Sequence, residues 1–279
     1  MSKNDVQNAI EKILNKNRYS FDDLCDIMFL LRSENGCPWD REQTHKSIRN
    51  NLIEETYEAI EAIDNNDISL MKEELGDVLL QVVFHCRIAQ DSNEFDINDV
   101  TDGLCKKLIK RHPHVFGDII AADSGTVLKN WDDIKTKTKK FNSFAESMNG
   151  ISPALPALIR AGKIGEKGAK AGFDFESALD SLEKAKEEIT EVEQALRNGG
   201  EVSVAEEIGD LLLAVVSVAR LSGINAEEAL YNANEKFISR FETVEKKALE
   251  NGIDLNKTDK KTKIGLWENA KAVKIEKNS

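Results

Sequence analysis

This chain of 279 residues is poor in the features that mark β-rich, disulfide-stapled, membrane-spanning or DNA-coating proteins. Proline occurs only 4 times and aromatics make up 6% of residues, while Glu, Lys, Leu, Ala and Ile dominate. That balance excludes a turn-rich β scaffold and points to helices. The four cysteines, Cys25, Cys37, Cys86 and Cys105, fall in the first half without a CxxC pair. A disulfide framework and a thiolate zinc site are therefore set aside in favour of free thiols in a reducing cytoplasm. Apolar runs fall far short of the roughly 20 residues that cross a bilayer. The opening Met-Ser-Lys-Asn-Asp-Val-Gln has no apolar signal core, so a cytoplasmic location with no membrane partner is expected. Positive charge is also in short supply. A net charge of −12 argues against duplex nucleic acid, which needs a basic face. Nucleotides stay open, because a bound metal ion inverts local charge.

What the chain does have is a carboxylate pattern written twice. Glu54, Glu55 and Glu58 are followed by Glu73, Glu74 and Asp77; Glu187, Glu188 and Glu191 are followed by Glu206, Glu207 and Asp210. In both copies Glu-Glu-x-x-Glu precedes Glu-Glu-x-Gly-Asp, at an offset of 19 between equivalent positions. Residues three apart share a helix face. Between the halves lie Asp64-Asn65-Asn66-Asp67 in one copy and Asn198-Gly199-Gly200 in the other, both suited to a tight reversal. Each copy thus reads as an antiparallel helix hairpin in which Glu58 faces Glu74 and Asp77 lies level with Glu55. The second hairpin sets Glu191 against Glu207 and Glu188 against Asp210. Converging carboxylates repel unless a cation joins them. Hard oxygen ligands without thiolate or imidazole favour Mg²⁺, with Mn²⁺ as a substitute, and Mg²⁺ commonly completes its shell with substrate phosphates. A di-iron bundle would use Glu-x-x-His, and neither hairpin supplies the histidine.

Apolar periodicity predicts an all-α protein. Helices are expected at about 4–17, 20–34, 44–64, 67–91, 97–111, 125–140, 155–170, 176–198, 202–222, 226–250 and 259–276. Asn149-Gly150 and Ser152-Pro153 mark a linker, giving homologous helical domains at 1–142 and 153–279 joined by 143–152. The repeat reaches beyond the acids. Gly36-Cys37-Pro38-Trp39-Asp40 corresponds to Gly172-Phe173-Asp174-Phe175, Lys107 and Arg111 to Lys236 and Arg240, and Trp131 and Lys135 to Trp267 and Lys271. Cations of this kind can neutralise the part of a triphosphate that a metal leaves charged, and an aromatic can stack on a base. These eight residues are the candidate substrate contacts. His112 and His114 flank Pro113 with no third ligand and are read as ending a helix.

Several runs resemble the MazG nucleoside triphosphate pyrophosphohydrolases, an all-α superfamily. They are Gly36-Cys37-Pro38-Trp39-Asp40, Leu52-Ile53-Glu54-Glu55-Thr56-Tyr57-Glu58, Glu73-Glu74-Leu75-Gly76-Asp77 and Lys110-Arg111-His112-Pro113-His114-Val115-Phe116. The resemblance covers roughly residues 20–275. It implies Mg²⁺-dependent cleavage of ribo- or deoxyribonucleoside triphosphates to monophosphate and pyrophosphate, with broad base tolerance. It also implies a homodimer whose subunits complete each other's helical bundles. Matching positions make Glu55, Glu58, Glu74 and Asp77 the metal ligands of the first domain, and Glu188, Glu191, Glu207 and Asp210 those of the second. Lys236, Arg240, Trp267 and Lys271 match a nucleotide-contacting region of the family's second domain. Glu54 and Glu187 are spare carboxylates that could orient or deprotonate the attacking water. The second copy lacks the Cys-Pro-Trp-Asp and Arg-His-Pro-His-Val-Phe runs, which leaves open whether one domain serves as a non-catalytic dimerisation or regulatory binding module.

Overall fold

A computed structural model describes residues 3–117 and 143–272. The chain divides into two compact units, residues 1–138 and 139–279. Among the described residues all regular structure is helical. The expected helix at 125–140, with Trp131 and Lys135, lies outside the described residues, as does the end of the last one beyond residue 272.

The first unit contains α1 (Lys3–Leu14), α2 (Phe21–Leu31), α3 (Pro38–Glu42), α4 (Arg49–Asp64), α5 (Ile68–Asp91), α6 (Ile97–Arg111) and α7 (Pro113–Phe116). Its helices start where the chain supplies side-chain caps. Ser20 and Asp23 form a capping box on α2, Asp96 and Asp99 form another on α6, and Asp67 accepts from the amides of Ser69 and Leu70 to open α5. The fourth helix begins at Arg49 rather than near 44. Thr44 and Ser47 bond each other's amides through their hydroxyls and hold 44–47 in a turn. Asn66, at φ +55°, ends α4 in a Schellman motif: its amide reaches Ile63 O and that of Asp67 reaches Ala62 O. That reversal lays α4 against α5. The core is built where Met28 and Ile48 meet Val83, Phe84 and Ile88 of α5.

The second unit contains α8 (Phe144–Asn149), α9 (Ala157–Lys170), α10 (Ala178–Asn198), α11 (Glu201–Leu221), α12 (Ala226–Glu250) and α13 (Lys260–Ala272). Part of the stretch expected as linker is thus a helix. Ser143 caps it by accepting from the Glu146 amide, and it packs on α9. The second carboxylate hairpin is α10–α11, and Gly199 closes it by lack of bulk. Its φ is an ordinary −93°, but a methyl group there would meet Ala195 O at 2.7 Å. A separate apolar cluster joins Val244 and Ala248 of α12 to Leu266 and Ala270 of α13.

Candidate active site

Each hairpin brings three of its four expected carboxylates together. On α4 and α5, oxygens of Glu55, Glu58 and Glu74 lie within 4.8 Å of one another. Glu74 is buried, Glu55 half-buried and Glu58 exposed. Asp77 stands outside this trio, yet its charge reaches it. Burial, then the charges of Asp77, Glu58 and Glu54, pushes the Glu55 carboxyl up. Burial followed by Glu58, Asp77, Glu73 and Glu55 does the same to Glu74. Such crowding of anions is the electrostatic signature of a place that fits a cation.

On α10 and α11 the trio is Glu188, Glu207 and Asp210, and Glu191 stands outside it. Glu191 instead hydrogen-bonds Glu188, and that bond, with the charge of Glu188, raises its carboxyl. Glu188 behaves differently from its first-unit counterpart. Lys184 Nζ sits 2.8 Å from Glu188 Oε1 and 3.2 Å from Glu187 Oε2, and this partner lowers the Glu188 carboxyl. The copies are in register at 133 residues, Glu55 with Glu188 and Glu74 with Glu207, so Lys184 falls opposite neutral Asn51. One substitution explains why burial and repulsion dominate in the first cluster and a cation in the second. Glu188 Oε2 is buried without a partner, an orphan oxygen that a metal ion would satisfy.

A cavity of about 750 Å³ opens beside the second cluster. Glu188, Asp210 and Lys184 contribute to its wall, with Leu213 and Ala214 of α11 and the aromatic turn Phe173–Phe175. Sequence reasoning singled out the turn and the acids but missed Lys184 and Arg220. The first was legible as a cation four residues before Glu188 on one helix face. Arg220 binds Asp174 from 46 residues away, and no local pattern announces such a contact.

The remaining candidates sit apart. Glu54 and Glu187 belong to neither trio, and Glu187 is tied to Lys184. Lys107 is exposed and Arg111 half-buried on α6. His112 ends α6 with its Nδ1 2.7 Å from Leu108 O, the helix-terminating place expected of it. Lys236 and Arg240 lie on α12, and Trp267 and Lys271 on α13. The Trp267 ring lies tilted by 44° against that of Phe237, with centroids 5.0 Å apart, and borders a second hollow of about 450 Å³ with Lys260 and Lys263. Lys271 pairs with Glu268. None of these four residues lines the cavity beside Glu188.

Duplicated helix hairpins bearing carboxylate trios that could hold a metal ion define an all-α protein of repeated acidic hairpins. The model of the MazG nucleotide pyrophosphohydrolase domain matches residues 43–116 and 176–245, once on each hairpin. The chain is 42% identical over 258 residues to the nucleoside triphosphate pyrophosphohydrolase of Escherichia coli, covering 91% of this chain and 98% of that one. It is 43% identical over 251 residues to the nucleoside triphosphate pyrophosphohydrolase/pyrophosphatase MazG of Thermotoga maritima, covering 90% and 95%. The chain belongs to the MazG family.

Proposed function

We infer that this chain hydrolyses nucleoside triphosphates to nucleoside monophosphates and pyrophosphate. The observation that carries the reading is the pair of carboxylate trios in matching register, one of them opening onto a cavity large enough for a nucleoside. Family membership and the names of its relatives support the same reaction.

Glu55, Glu58, Glu74 and Asp77 would hold the metal in the first unit, and Glu188, Glu191, Glu207 and Asp210 in the second. Their oxygen-only chemistry suits Mg²⁺, with Mn²⁺ as substitute. When bound, Mg²⁺ neutralises triphosphate charge and makes water more acidic. Lys184 fixes Glu188 and, through Glu187, keeps a second carboxylate beside the cluster; Glu187 is the candidate to orient the attacking water, and Glu54 is its counterpart. In-line attack at the α-phosphorus breaks its bond to the α,β-bridging oxygen, and the pyrophosphate leaves carrying that electron pair. Basic residues would stabilise the charge that grows there. In the second unit those are Lys236, Arg240 and Lys271, with Trp267 for a base; in the first, Lys107 and Arg111 are described, and Trp131 with Lys135 completes the set. Base tolerance follows from apolar and aromatic walls that read ring faces rather than hydrogen-bonding edges.

A homodimer accounts for two further features. Leu75, Leu79 and Val82 on α5, and Ile208, Leu212 and Val215 on α11, are large apolar side chains left exposed on the carboxylate-bearing helices. Lys236, Arg240, Trp267 and Lys271 stand away from the cavity in their own protomer, so a second copy is the natural donor of those groups. The intended partners are therefore nucleoside triphosphates and a second chain, in a cytoplasmic setting without membrane or duplex nucleic acid.

Hydrolysis in ¹⁸O-labelled water tests the chemistry. Label is expected in the monophosphate alone. Label in pyrophosphate would mean attack at the β-phosphorus, and release of labelled orthophosphate attack at the γ-phosphorus.

A further inference from the structure

The wall of the second unit's cavity is held by a contact that the carboxylate chemistry does not require. Arg220, near the end of α11, donates from Nη1 to Asp174 Oδ2 at 3.0 Å and from Nη2 to Oδ1 at 2.5 Å. Both side chains are largely buried, 17% and 22% exposed, and the geometry is the two-pronged grip that arginine makes on a carboxylate. Asp174 sits in the middle of the turn Gly172-Phe173-Asp174-Phe175, whose other end is rooted separately. The helix α9 stops in a Schellman motif: Gly172, at φ +78°, donates to Ala169 O, and Phe173 donates to Gly168 O at 2.9 Å. The turn is pressed so close to α9 that a methyl group on Gly168 would lie 2.9 Å from Phe173 O. Between these two anchors Phe173 is 86% exposed, although it borders the cavity that contains Glu188 and Asp210. Leaving a phenylalanine in water beside a site, on a backbone clamped at both ends, is costly unless something covers the ring.

The first unit shows that this arrangement is not a by-product of the fold. Arg87 occupies the position in register with Arg220, yet it pairs with Asp91 and lies over the Phe29 ring at 4.5 Å. The short helix α3, which carries Trp39, is tied instead by Arg32, the residue that follows α2, to the carbonyls of Asp40 and Gln43. Trp39 packs edge-on against Phe84, and Gln81 and Phe84, both buried, stand where the second unit has the cavity-lining Ala214 and Ser217. The same helix position has therefore been turned to a different task in each unit.

We propose that the Asp174–Arg220 pair is a positioning element of the second unit's site, holding the Gly172–Phe175 turn so that Phe173 presents its ring to the nucleobase of a bound triphosphate. The inference rests on the nucleotide reading given above. It assigns one face of the base to Phe173 by ring stacking, which every base can offer, leaves the other face to Trp267 of the partner subunit, and separates base binding from phosphate binding at the carboxylates. Arg220 acts through Asp174, on which both of its Nη atoms are engaged.

Steady-state hydrolysis by the full-length protein, with inorganic tripolyphosphate as a competing ligand that has no base, tests this. Arg220→Ala, Asp174→Ala and the double variant should each raise KM for nucleoside triphosphates roughly tenfold, as loss of a base-stacking partner does, with kcat falling less. The double variant should be no worse than the singles, and Arg220→Lys should recover part of the loss. Phe173→Ala, at a site on which little of the fold depends, should reproduce the KM rise. Inhibition by tripolyphosphate should stay at its wild-type strength in all of them. An unchanged KM in an active protein would overturn the inference and leave the proposed reaction standing. Parallel loss of tripolyphosphate inhibition would also overturn it, because the pair would then merely support the fold. A wild-type protein without triphosphate hydrolysis would instead remove the reading on which the inference rests.

Discussion

Single side chains decide how each carboxylate cluster behaves before any metal arrives. Glu74 sits buried among like charges, whereas Glu188 has Lys184 at 2.8 Å. Replacing Glu74 with Gln removes one anion from the repelling group, so the metal-free protein should melt higher than wild type. The same change should erase most of the stabilisation expected from Mg²⁺ at the proposed site of the first unit. A bound ion adds about 2.7 kcal/mol at roughly 100 times its Kd, so differential scanning calorimetry with and without Mg²⁺ reads both effects. Equal Mg²⁺ stabilisation in Glu74→Gln and wild type would place the ion elsewhere. Far from the clusters, Lys16 and the amide and hydroxyl of Ser20 all bond to Asp23, and the Lys16 contact leads in lowering its carboxyl to about 2. A depressed carboxyl stabilises the fold above its ordinary value of 3.8, and that contribution is lost as pH falls towards 2. Asp23→Asn should therefore lower the chemical-denaturation midpoint at pH 7, and the gap to wild type should close by about pH 2. A gap that persists in acid would mean that packing rather than charge carries the contact.

At the scale of helices, the two hairpins do the positioning, and the amino-acid sequence announces them well. The 19-residue spacing and the polar reversals predict Glu58 near Glu74 and Asp210 near Glu188, and both pairs meet because antiparallel helices joined by a tight turn have few other registers, whereas Glu207 comes to Glu188 and not to Glu191, the acid expected to face it. The reversals are built differently, one with Asn66 at positive φ and one with Gly199 squeezed against Ala195, which composition alone does not distinguish. Boundaries slip where side chains bond the backbone locally, as at Thr44 and Ser47, or where Ser143 caps a helix in a stretch that reads as linker. Contacts between distant segments were out of reach: nothing near Arg220 in the chain points to Asp174. Nor does spacing tell which three of four acids come closest, since that depends on rotamers and on partners such as Lys184. The helices also carry exposed apolar side chains, and Leu212→Glu on α11 should weaken the proposed homodimer. Sedimentation equilibrium should show a shift of the variant towards monomer, with helicity retained in circular dichroism and hydrolysis reduced through loss of the basic residues that the proposed second copy would bring to the cavity. A dimer of undiminished affinity would remove α11 from the interface.

For the molecule as a whole, the internal repeat gives two hairpins with the same acids and different surroundings. The second keeps an open cavity lined by Ala214 and Ser217; the first has Gln81 and Phe84 at those positions, and Phe84 belongs to the core. Glu207→Gln should therefore remove more nucleoside triphosphate turnover than Glu74→Gln does. The most direct measurement is an end-point assay of wild type, each single variant and the Glu74→Gln/Glu207→Gln double variant against the eight common ribo- and deoxyribonucleoside triphosphates, with Mg²⁺ or with EDTA, resolving all phosphorus products. Monophosphate and pyrophosphate in equal amounts, abolished by EDTA and by the double substitution, is the expected result. Diphosphate with orthophosphate, or full activity in the double variant, would contradict it.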